Sequence, residues 1–216
     1  MIRILQVVTY MGRGGLESML MNYYRYIDRE KIQFDFLVHR QERAAYDDEI
    51  EAMGGKIYHL PRLVPWSKAY LTALNRFFDE HPEYRIVHVH QDCLSSVILK
   101  AAQQHNIPVR IAHSHNSALR ESPFRSLKLM IHTWARARYT KDATNLWTCS
   151  RMASEFMFNK CRGVTQRIEF IPNGIDTARF RFDLKARIKE RVRLDFGNDL
   201  VIGSVGRFCY QKNQSF

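Results

Sequence analysis

Two strand-like runs in this chain end in paired histidines. In Ile86-Val-His-Val-His90 the alternation puts His88 and His90 on one face, and Ile111-Ala-His-Ser-His-Asn116 does the same for His113 and His115. Imidazoles at strand carboxyl ends can donate to a hydroxyl or carbonyl, or shuttle a proton near neutral pH. A metal is not expected. Two i,i+2 histidines on one strand seldom complete a coordination sphere.

A second candidate comes after the first strand, in Thr9-Tyr-Met-Gly-Arg-Gly-Gly-Leu-Glu-Ser18. Gly14 and Gly15 remove side chains that would block a close approach, and a helix opening at Leu16 points free N–H groups at an anion. The plainer alternative is a tight strand-to-helix turn needing positive φ. The dinucleotide fingerprint is absent, because with Gly12 first and Gly14 second the third glycine position holds Glu17. A third candidate is the loop after Val201–Val205, where Arg207 and Lys212 read as half of a ligand site.

The elements that must position these groups alternate. Strands are expected over 3–8, 33–38, 56–60, 86–90, 109–112, 146–149, 168–171 and 201–205, with helices clearest over 16–27, 66–78, 95–105, 126–139 and 150–159. This spacing predicts an α/β fold with a doubly wound parallel sheet, whose ligands bind beyond the carboxyl ends of the strands. Pro172 ends the last strand of that sheet, Asn173-Gly174 suits a positive-φ turn, and Asp176 can cap the next helix or turn. The expected organisation is an acceptor-side domain over 1–172, a connector over 173–199, and over 200–216 the first strand and loop of a second α/β domain.

Composition bounds the rest. Hydrophobic content of 45% supports a packed core, and Cys93, Cys149, Cys161 and Cys209 form no CxxC pair, so free thiols are expected. No run approaches the ~18–20 apolar residues of a membrane span. Between Asn106 and Arg167 eleven Lys and Arg face three acids, giving +8 of the net +11. Such a patch attracts phosphates, anionic lipid or nucleic acid. On a helix over 124–139, Leu127, Met130, Ile131 and Trp134 share an apolar face expected to pack on the sheet. Arg125, Lys128, His132 and Arg136 line the other face and can touch a headgroup surface.

The set Gly14-Gly15-Leu16-Glu17, Ile111–Asn116, Ile171-Pro-Asn-Gly-Ile-Asp176 and Val205-Gly-Arg-Phe…Gln-Lys-Asn213 resembles the retaining nucleotide-sugar glycosyltransferases of two-domain GT-B architecture. The similarity is strongest to bacterial members, family 4-like, that build capsule and exopolysaccharide. It implies a nucleotide sugar as donor, a saccharide or lipid-linked saccharide as acceptor, and no cofactor or metal. Gly14 and Gly15 then lie near the donor diphosphate, and His115, or its neighbour His113, near the transferred sugar. Glu17, His88 and His90 fall on the acceptor side. Arg207 and Lys212 match the basic pair that neutralises the leaving diphosphate, a sound role because charge grows there as the glycosidic bond breaks. The resemblance also implies that the paired glutamates holding the donor lie past Phe216, so that these residues alone do not transfer sugar. The expected location is cytoplasmic, peripheral at the inner face of the membrane.

Two rivals make different demands. A nucleotide-sugar epimerase of the same architecture needs carboxylates in the cleft, where the strand ends here offer histidines. A nucleic-acid-binding module needs exposed aromatics among the arginines for stacking, whereas Trp134 and Tyr139 are expected at the core face.

Overall fold

The computed structural model describes residues 1–118, 125–158, 168–206 and 208, and within 125–142 it leaves the side chains of 125–128 and 136–140 undescribed. Seven strands are formed: β1 (Ile2–Val7), β2 (Ile32–Val38), β3 (Ile57–His59), β4 (Ile86–Val89), β5 (Val109–Ser114), β6 (Asn145–Thr148) and β7 (Ile168–Phe170). They make one sheet in the order β3-β2-β1-β4-β5-β6-β7, and every ladder is parallel. The expected doubly wound α/β fold is the observed one. Strand order reverses between β1 and β4, which opens a crevice at their carboxyl ends.

Alternation along the strands builds two cores. Leu5 and Val7 of β1 join Val87, Val89, Ala112 and Leu146 on one side, under α3 (Lys68–Glu80), α4 (Ser95–Gln104) and α6 (Arg151–Phe158). Phe34, Phe36 and Val38 of β2 point the other way. They pack with Met19, Leu20 and Tyr24 of α1 (Gly15–Tyr26) and with Ile50 of the short α2 (Asp47–Ala52). Each fully buried Leu, Ile or Phe contributes roughly 1.5–3 kcal/mol.

The first compact unit runs from Met1 to Ile175. Its last residues are tied to α1, where Tyr23 Oη donates to the Pro172 carbonyl at 2.6 Å and Asn22 Nδ2 to the Gly174 carbonyl at 2.9 Å. Asn173 and Gly174 do not adopt the positive φ that their types suggested. Gly174 instead packs beside the hydroxyl end of Tyr23, whose Cζ would lie 3.4 Å from a Cβ at this position.

In the second unit, Asp176–Phe216, Asp176 Oδ1 accepts from Ala178 N and Arg179 N. Helix α7 (Leu184–Arg193) is capped by Asp183, which accepts from Ala186 N at 3.0 Å. The expected strand over 201–205 is not formed, and residues 201–206 are exposed without a ladder partner. A buried parallel strand exists only between partners that bond to both its edges, and none among the described residues does so.

Helix α5 (Arg125–Asp142) corrects a second expectation. Among its described side chains the buried ones are His132, at 3% exposure and with its ring 4.7 Å from that of Phe156, Ala135 and the terminal Asp142; Met130 and Trp134 are 63% and 55% exposed. The helix is therefore turned by about one residue from the face that its apolar spacing marks. Small Ala135 permits close approach to the layer beneath, where a tryptophan would not fit. An exposed Trp134 also removes the argument that this aromatic is consumed by the core. Arg125, Lys128 and Arg136, named for a headgroup contact, have side chains outside the described set.

Candidate functional site

The register of β4 on β5, with Val89 opposite Ala112, brings the two histidine pairs together. His88 Nε2 lies 3.1 Å from His113 Nδ1, and His90 Nδ1 lies 2.8 Å from His115 Nε2. Along each strand the neighbouring rings lie tilted against each other at 4.0 Å between centroids. The result is a ladder of four imidazoles in two cross-strand pairs. At its far end His90 Nε2 meets Gln6 Oε1 of β1 at 2.9 Å, and the edge-on indole of Trp147 closes its flank, 4.9 Å from His88. His88, His90 and His113 are buried, while His115 keeps some exposed surface.

Burial without a carboxylate partner makes these imidazoles weak bases. Desolvation, then repulsion from neighbouring imidazolium, pushes His88 down to about 3 and His113 to about 2. The same causes hold His90 well below the usual histidine value, and burial alone lowers His115 to about 4. The ladder is neutral at physiological pH. One nitrogen from each of His88, His90 and His113 lies within 4.8 Å of the others, a convergence that neither run shows alone. However, the facing nitrogens of His88 and His113 are already bonded to each other.

The glycine loop lies across the switch point. Gly14 caps α1 with φ −110° and ψ 175°, and neither Gly14 nor Gly15 has positive φ. The plainer explanation of the pair, a turn that only glycine can make, therefore fails. A Cβ on Gly15 would meet nothing within 4 Å, so its missing side chain leaves open space at the first N–H groups of α1. A Cβ on Gly14 would lie 2.2 Å from Glu17 Oε2, which shows that the Glu17 carboxylate folds back over the helix start. That is the placement of a capping-box glutamate at the third helical position.

Residues given no role by the sequence complete the crevice. Asp92, just past β4, has φ 46°, and its Oδ2 accepts from Asn116 Nδ2 past the end of β5. A carboxylate thus does reach the crevice. Thr9 Oγ1 donates to Gln91 Oε1 at 3.0 Å, and buried His39 bridges the Val8 carbonyl and Tyr70 Oη at 3.0 and 2.9 Å. The signals that could have found them were polar types (Gln6, His39) inside apolar strand ends. Arg207 and Lys212 lie outside the described residues.

A parallel sheet whose switch point carries a glycine-opened helix start beside polar, neutral imidazoles is a doubly wound α/β lobe with a crevice at its strand ends. The chain belongs to Glycosyltransferase Family 4, which residues 13–179 match. It is 33% identical over 216 residues to the "Putative glycosyltransferase EpsF" of Bacillus subtilis (strain 168), covering 99% of this chain and 56% of that protein. It is 23% identical to the capsular polysaccharide biosynthesis glycosyltransferase CapH of Staphylococcus aureus, again over 56% of that protein. In fold it is similar to Anabaena HepE (Alr3699), solved with UDP and glucose, with a TM-score of 0.73 and 17% identity over all of this chain and 56% of that one. The chain thus spans about half the length of the curated relatives it matches. Among the described residues no helix is long and apolar enough to cross a membrane.

Proposed function

We propose that this chain forms the acceptor-side lobe of a retaining glycosyltransferase that moves a sugar from a nucleotide diphosphate donor to a saccharide, or lipid-linked saccharide, in polysaccharide synthesis. The observation that carries the reading is the switch-point crevice itself. There the open helix start at Gly14–Gly15 and the end of β5 at His115 flank β4 (Ile86–Val89). The first offers backbone N–H groups to a diphosphate. The second offers a neutral imidazole to sugar hydroxyls. The names of EpsF and CapH and the ligands of HepE support a nucleotide-sugar chemistry.

Chemically, the reaction needs charge neutralised at the leaving phosphate and hydroxyls oriented at the sugar. Helix N–H groups supply the first and the histidine end of the crevice the second, while Arg207 and Lys212 match by resemblance the family's basic pair for the leaving diphosphate. No metal or cofactor is included in this proposal. Glu17, His88 and His90 support the acceptor side by shaping the loop and the ladder. The basic segment, with Arg125, Lys128 and Arg136, holds the lobe near an anionic inner membrane face.

The test sets nucleotide sugar against nucleic acid. UDP-glucose binding that weakens little between 50 and 200 mM salt supports the proposal. Tight oligonucleotide binding that falls by orders of magnitude over that range, with no nucleotide-sugar binding, supports the basic-module rival. No sugar transfer is expected from residues 1–216 alone, and turnover by them overturns that part.

A further inference from the structure

We propose that Gln6 is a positioning residue which, through His90, fixes the proton of His115 on Nε2, so that His115 meets its ligand through an unprotonated Nδ1 and takes a hydroxyl hydrogen. The inference rests on reading the crevice as a sugar site, and it adds which partner atom His115 accepts.

The protons can be traced outward from Gln6. A carboxamide oxygen only accepts, so the 2.9 Å contact between Gln6 Oε1 and His90 Nε2 requires that Nε2 carry hydrogen. A neutral imidazole has one N–H, which leaves His90 Nδ1 as a lone pair. That lone pair lies 2.8 Å from His115 Nε2, which must therefore be the donor. By the same count His115 Nδ1 is bare. Among the described residues it has no hydrogen-bond partner, and His115 keeps exposed surface. Gln6 is 1% exposed and His90 6%, so water does not compete for either bond. The relay holds only while both rings are neutral, and burial keeps them so.

Direction is the whole content of this arrangement. With the Gln6 amide reversed, its NH2 would donate to His90 Nε2, His90 Nδ1–H would donate to His115 Nε2, and His115 would present Nδ1–H. That ring would suit a phosphate or carbonyl oxygen. The observed relay presents a lone pair, which suits the hydroxyl of a sugar.

The experiment is a long-range 1H–15N correlation spectrum of the histidine-labelled chain at pH 7.5. His90 and His115 are each expected to show a protonated Nε2 and an unprotonated Nδ1. A protonated Nδ1 on His115, or averaging of its two nitrogens, overturns the relay. Gln6→Leu is expected to abolish the single tautomer of His115. An unchanged His115 in Gln6→Leu is contrary evidence. If Gln6→Leu does not fold, the wild-type spectrum decides. Glycerol at molar concentration is expected to move the His115 Nδ1 resonance, and inorganic phosphate to leave it in place. Movement by phosphate alone, or by neither, overturns the ligand assignment. The tautomer signals do not depend on donor binding, so failure of the relay and failure of the glycosyltransferase reading are separable.

Discussion

Asp92 and Asn116 join the ends of two neighbouring strands, with Asp92 Oδ2 accepting from the Asn116 side-chain amide. The aspartate pays for this with a left-handed backbone, φ 46°, a conformation that costs a non-glycine residue roughly 1–3 kcal/mol. Its other oxygen, Oδ1, is buried without a hydrogen-bond partner. The carboxylate also takes hydrogen bonds from the backbone of His115 and Asn116. Strain and a half-satisfied charge persist here because they hold the loop that carries His115.

Burial raises the Asp92 carboxyl above its ordinary value, the bonds from Asn116 and the backbone only partly offsetting it. A raised acid binds its proton more tightly when folded. Its stabilising contribution is present below the unfolded value of 3.8 and is lost as pH rises through the folded value. Asp92→Asn is therefore expected to gain stability relative to the wild type as pH climbs from about 4 toward neutrality. Denaturant midpoints across that range measure it, and a difference that does not change with pH contradicts the assignment.

The imidazole ladder works in the opposite sense. His88, His113 and His115 are lowered to about 3, 2 and 4, so the folded state resists protons that the unfolded chain accepts below about 6.5. Their stability is intact above 6.5 and is lost as pH falls toward the folded values. Each such histidine withholds about 1.4 kcal/mol per pH unit. By about pH 5 the four ladder histidines together withhold about 8 kcal/mol, comparable with the ~5–15 kcal/mol margin of an ordinary domain. Unfolding by circular dichroism between pH 7 and 5 is expected, with His88→Gln shifting the midpoint lower. A midpoint near 3 would contradict buried, unpaired histidines.

Gly15 separates folding from ligand approach. It needs no positive φ and has no neighbour within 4 Å of a Cβ, and alanine is the better helix former by roughly 0.5–1 kcal/mol. Gly15→Ala is expected to melt at or above the wild-type temperature while nucleotide-sugar affinity drops about tenfold, or about 1.4 kcal/mol. Unchanged affinity would show that the open space is not where a diphosphate approaches. In Gly14→Ala the new methyl displaces the Glu17 carboxylate, so some loss of helix capping is expected as well.

What was legible in the sequence was local. Period-two alternation marked β1, β2, β4 and β5, and the same alternation put His88 with His90 and His113 with His115. Whatever depends on register or packing was not. The ladder exists because Val89 pairs with Ala112, a choice made between residues 23 positions apart in the chain. Gln6 and Asp35 look like interruptions of apolar strands. Only the fold shows Gln6 meeting His90 and Asp35, fully buried, paired with Arg3 and accepting from Tyr84 Oη at 2.7 Å. Helix α5 misled because its apolar stripe is not the side it buries, which was settled by small Ala135 and the packing of His132 on Phe156 rather than by periodicity.

The central claim is that the switch-point crevice receives the sugar donor, and amide chemical-shift mapping of the chain with millimolar UDP-glucose tests it most directly. The expected result is perturbation of Gly14, Gly15 and Leu16 together with His115 and Asn116. Shifts confined elsewhere, for instance to the hollow lined by Phe78, Tyr84 and Pro108, or no shifts at all, would contradict it.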